Sequence, residues 1–300
     1  MQTAPTNATP TPRGINLALA RAKADIPAMA SLLDAFGPLF ACRAELRAKA
    51  SGWRGRKPLV DPERFSQGVF ILADRGFQDM SSRLPAAAQT LLPVMSASFP
   101  AMAREFSALG EALASGAVPA RKVADAAFGG KVQVPGVSAE ALAFAAAELV
   151  RPFIERQAVS LLPLVKDLPW NQAHCPVCGG APNMSVLRKS GDDDTFIKSH
   201  GGRRFLRCSC CATEWTHKRV SCPACGCEEP DELVVLSAPE RPFERVDACK
   251  RCKSFVLCLD GGELVDVPDP DVAALTMLPL ELHARKEGFV PMALHPWSNF

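Results

Sequence analysis

The chain has 300 residues, a formal charge of +2, 48% hydrophobic and 22% charged side chains, a composition that predicts a soluble globular protein with room for two cored domains. No apolar run reaches the roughly 18 residues a membrane-spanning helix needs, and the best candidate, 139–150, contains Glu140 and Glu148. Charge also argues against a nucleic-acid role, because residues 171–300 carry 15 Lys and Arg against 18 Asp and Glu, where phosphate binding asks for a basic face.

Residues 1–13 are rich in Pro and Thr with no apolar core and read as a disordered tail, neither signal peptide nor anchor, so the expected compartment is the cytoplasm. A helical domain is expected over 14–166, with about five to seven helices. Asp61-Pro62-Glu63 is a helix start, with Asp61 as cap, Pro62 at the first helical position, and Phe65, Val69 and Leu72 recurring on one face. A second helix begins near Ser138, where Leu142, Ala145, Leu149 and Phe153 share a stripe. Breaks are expected at 52–58, at Pro85, Pro93 and Pro100, and at 128–130.

Residues 167–173 read as a linker, after which the pattern becomes short strands and turns. Two modules follow, 167–218 and 219–268. Strand-like stretches occur at 183–187 and 203–207 in the first and at 232–236 and 243–247 in the second. Residues 255–259, a turn at Asp260-Gly261-Gly262 and residues 263–267 read as a β-hairpin. The C-terminal segment, 269–300, starts a helix at Asp269-Pro270, is interrupted by Pro279 and closes at Gly288. Its tail carries Trp297 and Phe300 and reads as a contact segment.

Eight of the twelve cysteines form four Cys-x-x-Cys pairs: Cys175/Cys178, Cys208/Cys211, Cys222/Cys225 and Cys249/Cys252. Such a knuckle places two sulfurs on one metal ion, and a second pair completes a tetrahedron suited to Zn2+ or to rubredoxin-type iron. The first and third pairs are Cys-Pro-x-Cys-Gly; the second and fourth lack the glycine and are followed by an aromatic, Trp215 or Phe255. That alternation reads as a duplicated unit and favours sequential pairing, Cys175, Cys178, Cys208 and Cys211 on one metal and Cys222, Cys225, Cys249 and Cys252 on the other. The competitor is an interleaved arrangement in which the first and third pairs share a metal. A closed four-sulfur site is expected to be structural, with redox-active iron next and hydrolytic metal last, since a hydrolytic metal wants an open position. Disulfides are the other reading, disfavoured by the repeated knuckle and the lack of a secretory signal.

No glycine-rich phosphate loop, H-E-x-x-H or G-x-S-x-G occurs, which counts against a nucleotide-dependent enzyme or a hydrolase. His174 and His217 lie near knuckles and are read as neighbours of a metal site more than as ligands. Asp192-Asp193-Asp194 reads as a solvated loop tip. Cys42 is expected to be a buried small hydrophobe, Cys210 and Cys227 stand beside ligand cysteines with a possible redox role, and Cys258 has no assignment. Arg203, Arg204 and Arg207 beside Lys218 and Arg219 are read as a solvated hairpin rim, with a basic patch as the alternative.

These residues resemble the FdhE family of formate dehydrogenase accessory (formation) proteins. The resemblance runs through His174-Cys175-Pro176-Val177-Cys178-Gly179, Arg204-Phe205-Leu206-Arg207-Cys208 to Cys211, Thr213-Glu214-Trp215, Arg219-Val220 into Cys222 and Cys225, Ala248-Cys249 and Cys252, and residues 271–289. It agrees with the architecture that the patterns above predict, an α+β fold with an N-terminal helical bundle followed by two tandem rubredoxin-like or zinc-ribbon four-cysteine modules and a C-terminal helix, matching the helical half in length and character. It also implies a cytoplasmic assembly factor, not an enzyme, that contacts the catalytic subunit of respiratory formate dehydrogenase before export by the twin-arginine pathway. The eight paired cysteines correspond to the metal ligands, with iron as the implied metal and zinc as the alternative; no nucleic acid and no stable membrane insertion are implied. Phe255 stands where tyrosine is expected, and the chain has no tyrosine at all. Two other readings of the knuckles remain, a rubredoxin-like electron-transfer protein and a nucleic-acid-binding zinc ribbon.

Overall fold

The computed structural model describes residues 11–188, 202–262, 264 and 267–299. The Asp192-Asp193-Asp194 run, His200, Phe300 and most of the N-terminal tail lie outside the described residues. The chain divides into two compact units. One comprises Thr9–Gly55 and Phe77–Ser160; the other comprises Arg56–Gly76 and Leu161–Phe300. No described helix is long and apolar enough to cross a membrane.

The first unit is helical: α1 (Pro12–Asp25), α2 (Ala30–Lys49), then, after the Arg56–Gly76 excursion and its short α3 (Pro62–Ser66), α4 (Leu84–Ser98), α5 (Ala103–Ser115), α6 (Ala120–Ala126) and α7 (Ala139–Leu161). Gly37 lets α1 and α2 pack closely, since a Cβ there would stand 2.9 Å from Leu19. Phe99 and Phe106 close edge-on around Phe144. The stripe Leu142, Ala145 and Leu149 is buried, with Phe153 half-buried. Pro85 and Pro93 do not break the chain as expected: Pro85 sits in the first turn of α4 and Pro93 inside it. A first-turn proline loses no helical hydrogen bond, and burial of Leu91, Leu92 and Met95 offsets the interior one.

The helical core also holds charge. Arg43 meets Glu148 at 2.8 Å, and Glu155 receives Arg47 at 3.0 Å and Arg151 at 2.9 Å, all five side chains being buried. Removing one partner from such a set strands the others in a low dielectric, a loss of about 3–5 kcal/mol. Glu155→Ala is therefore expected to destabilise the helical unit by about 3–5 kcal/mol, measured by urea unfolding followed by circular dichroism.

The second unit is built on one sheet with strand order β3-β2-β1-β6-β5-β4, and β7 pairs with β6. The strands are β1 (Pro182–Arg188), β2 (Arg203–Cys208), β3 (Glu214–His217), β4 (Leu233–Ser237), β5 (Glu244–Cys249), β6 (Ser254–Asp260) and β7 (Val290–Pro291). Each module is an antiparallel three-strand ribbon, β1-β2-β3 and β4-β5-β6. The ribbons join where β1 pairs with β6 in parallel, Met184 opposite Leu257 through Leu187 opposite Asp260. The return strand of the hairpin expected after β6, 263–267, lies largely outside the described residues. Both edges of β6 are taken, one by β5 and the other by β1 and β7, and the described Leu264 and Val267 belong to no strand.

Helices α8 (Pro270–Thr276) and α9 (Leu278–Lys286) follow, with Asp269 capping α8 and Pro279 in the first turn of α9. Trp297 is buried and stacks on His295 at 4.8 Å. The fold is thus an N-terminal helical region, a sheet bearing two four-cysteine clusters and C-terminal helices.

Candidate metal centres

The four knuckles share one backbone turn. In each, the amide after the second cysteine donates to the carbonyl of the first: Gly179 to Cys175 at 2.9 Å, Ala212 to Cys208 at 3.2 Å, Gly226 to Cys222 at 2.8 Å and Lys253 to Cys249 at 2.8 Å. The turn puts the donating residue in the left-handed region, φ 75° and 70° for the two glycines, 55° for Ala212 and 59° for Lys253. A non-glycine residue gives up about 1–2 kcal/mol there. The missing glycines of the second and fourth knuckles therefore mark the same turn held under strain.

The sulfurs assemble in the sequential order. Cys178 lies 3.5 Å from both Cys208 and Cys211, and Cys175 lies 3.6 Å from Cys211. In the second cluster Cys222 is 3.5 Å from Cys252 and Cys225 is 3.8 Å from Cys249. Within each cluster all four ligand atoms fall within 4.8 Å of one another. Sulfurs 2.3 Å from a common centre stand about 3.8 Å apart in a tetrahedron, whereas a disulfide would bring them to about 2.05 Å. All twelve cysteines are free.

Electrostatics inside the clusters is uneven. Hydrogen bonds with Cys175 and Cys208 push Cys178 well above the usual thiol range. Burial raises Cys208, but hydrogen bonds from the sulfurs of Cys175, Cys178 and Cys211 outweigh it and hold it well below. In the second cluster burial raises Cys252, yet the amide and hydroxyl of Ser254 and the Cys222 and Cys225 sulfurs bring it down to about 7. Cys208 in the first cluster and Cys252 in the second are thus the sulfurs whose surroundings favour the thiolate. A divalent cation at the centre would favour the thiolate form of all four sulfurs of its cluster.

Two hydroxyls that the sequence reading passed over occupy matching positions. Thr213 Oγ1 lies 3.2 Å from Cys211 Sγ, and Ser254 bonds to Cys252, each two residues after the second cysteine of its knuckle. Their signal was present as a hydroxyl at the same offset in both repeats. The rest of the Thr213-Glu214-Trp215 step is structural: Glu214 is buried against Arg188 at 2.6 Å, and Trp215 donates to the Gln172 carbonyl at 3.0 Å.

The segment Arg56–Gly76 braces the first knuckle, which no spacing in the sequence announced. Asp61 caps α3 as expected, but the helix ends at Ser66, and Gly68, at φ 101°, turns the chain away. Val69 and Leu72 therefore lie beyond the helix. Ile71 and Leu72 instead donate to the carbonyls of Pro176 and Val177 at 2.9 and 3.0 Å, and the Phe70 ring lies against Gly179. His174 is not brought into the sulfur cluster: its Nε2 donates to the Gly68 carbonyl at 2.9 Å. The first cluster is accordingly buried apart from Cys178, whereas Cys225 of the second is exposed.

The arginines expected at a hairpin rim are partly interior. Arg204 bonds to Ser185 at 2.8 Å, to the Ser221 carbonyl at 2.8 Å and to Asp247 at 3.2 Å, tying one ribbon to the other. Arg207 pairs with Asp271 at 2.9 Å, and both are buried. Neither a solvated rim nor a basic patch describes them. Cys42 is buried and bonds weakly to the Thr90 carbonyl. Cys258 is wholly buried, and burial with Asp247 nearby pushes its thiol up to about 12. Cys210 and Cys227 flank ligand positions without entering either set of four.

Comparison with known proteins places this site in context. Residues 174–219 match the family description "FdhE, central domain". A protein FdhE homolog of Aquifex aeolicus is 34% identical over 123 residues, 40% of this chain and 40% of that one. One from Rhizobium meliloti is 32% identical over 134 residues, 42% and 41% of the two chains. The resemblance to the FdhE family holds. The matched stretch spans only about two fifths of the length of these curated relatives. The crystal structure of the FdhE protein from Pseudomonas aeruginosa is similar over 98% of this chain and 97% of that one, with TM-score 0.59 and 19% identity, so the two share a fold.

Three variants test this FdhE-like centre. A Cβ at Gly180 would stand 2.9 Å from Cys208 Sγ and 3.4 Å from Cys178 Sγ, whereas one at Gly226 meets nothing within 4 Å. Gly180→Ala is expected to lose the metal of the first cluster. Gly226→Ala is expected to keep the second at a cost of about 1–2 kcal/mol, both read by metal analysis of the purified protein. Thr213→Val removes a hydroxyl beside Cys211 and is expected to weaken zinc at the first cluster by about 10–100-fold in chelator competition.

Proposed function

We propose that this protein is a cytoplasmic assembly factor for formate dehydrogenase that binds the enzyme's catalytic subunit before export and performs no catalysis itself. The observation that carries the reading is the pair of cysteine tetrads set in an FdhE-like sheet. In this reading Cys175, Cys178, Cys208 and Cys211 hold one metal ion, and Cys222, Cys225, Cys249 and Cys252 hold another. The distances and the all-sulfur donor set fit iron or zinc alike. Bound iron would supply a one-electron couple, and bound zinc a redox-silent cross-link.

The chain's own residues serve docking rather than turnover. A set of four sulfurs closed into a tetrahedron offers no open coordination position. Knuckle amides and the Thr213 and Ser254 hydroxyls point at the sulfurs and fix the turns. The fused sheet then presents a rigid surface to a client. Exposure of Cys225 favours one further reading, electron transfer through the second cluster; it requires reversible one-electron chemistry of the iron-loaded protein.

Anaerobic purification of the tagged protein from its own cells, with a variant carrying serine at all eight paired cysteines as control, tests the role. Recovery of the formate dehydrogenase catalytic subunit with the wild type and its loss from the variant are expected. Failure of the wild type to recover it overturns the reading.

A further inference from the structure

The two ribbons repeat by translation: the order β3-β2-β1 is followed by β6-β5-β4. Registers against the cysteine knuckles make the equivalence residue by residue. Met184 faces Arg207, one before Cys208, and Val234 faces Ala248, one before Cys249; Ser185 faces Leu206 and Val235 faces Asp247 in the same relation. Val234–Ser237 are thus the counterparts of Met184–Leu187. In the first ribbon the outer edge of those four residues accepts β6 in parallel. In the second ribbon the same edge has no strand partner among the described residues.

Nothing in β4 blunts that edge. Its sequence, Leu-Val-Val-Leu-Ser, contains no charge, proline or glycine, and Val235 is 58% exposed. Unprotected edges of this kind recruit a further strand. A pocket of about 150 Å3 lies on the sheet face beside β4, with Leu233, Val234 and Val235 in its wall and Val220, Arg245 and Phe255 among its other lining residues. Sites for whole small molecules run to about 300–1,000 Å3, while a cavity of about 150 Å3 holds a group the size of a benzene ring. A pocket of that size takes a single side chain, and its β4 wall brings it within reach of a strand laid along the edge. Before β4, Glu229, Asp231 and Glu232 make no ion pair among the described residues.

We propose that the outer edge of β4 binds an extended segment of another polypeptide, in parallel, with Lys or Arg at its N-terminal end followed by an apolar run resembling β6. The parallel sense comes from the β1–β6 junction. It places the incoming N-terminus beside the acidic residues that precede β4, and the apolar run then lies against Val234–Ser237 with one side chain in the pocket. The inference rests on the client-binding reading only for the natural source of the segment.

Fluorescence anisotropy with the full chain and a labelled peptide, Lys-Lys-Ser-Phe-Val-Leu-Ser-Leu, tests it. Wild type and Val235→Thr are expected to bind. Val235→Lys, which puts a charge on the edge, is expected to bind at least about tenfold more weakly with both metals retained, as is wild type presented with Glu-Glu in place of Lys-Lys. No binding by wild type, or equal binding by Val235→Lys, overturns the proposal. The same variants are then used to recover the formate dehydrogenase catalytic subunit. Absence of the subunit from wild type defeats the assembly-factor reading while the peptide result still decides the edge, and equal recovery by Val235→Lys defeats the edge as the client's site.

Discussion

A left-handed residue must follow the second cysteine of every knuckle, and the sheet unit is arranged around that backbone requirement. The turn directs one amide to the first cysteine's carbonyl and brings two sulfurs to the same side. Glycine meets the requirement freely at residues 179 and 226. Ala212 and Lys253 meet it against a steric cost, and each is followed at once by the hydroxyl residue that bonds the neighbouring sulfur. Turn and hydroxyl together carry the chain from a cysteine knuckle directly into the next strand.

From that turn the repeat propagates. Each ribbon closes its own sulfur tetrad, so the ribbons need not meet to complete a site. They meet through the parallel junction of β1 and β6, reinforced by Arg204, whose guanidinium bonds to Ser185, Ser221 and Asp247. Burying that charge is tolerable because every arm of it has a partner. The result is one sheet with a filled internal edge and an equivalent terminal edge that has no strand partner among the described residues.

The two clusters differ in setting despite their common geometry. The first is sheltered by Phe70, Ile71 and Leu72, drawn from a segment that interrupts the helical region in sequence. The second keeps Cys225 exposed, and its apolar surroundings are Leu233 and Cys227. Burial lowers the local dielectric and strengthens the hydrogen bonds among the sulfurs, which raise Cys178 and lower Cys208 in the first cluster.

The sequence by itself determined the cysteine clusters, because Cys-x-x-Cys is a local motif whose geometry depends on four or five consecutive residues. The alternation of knuckle types was enough to set sequential pairing above interleaving, and Asp61 and Asp269 announced their helix caps for the same local reason. Where distant segments compete, the pattern misled: Val69 and Leu72 continue a helical stripe on paper, but both lie beyond the helix, and Leu72, with Ile71, bonds to a knuckle more than a hundred residues away. Pro93 signals a break that packing overrides. Arg204 and Arg207 read as surface charge until the partners Asp247 and Asp271 arrive from elsewhere in the chain. Only the tertiary structure decided these points, since burial and strand pairing are fixed by contacts between residues far apart in sequence, to which local spacing is blind.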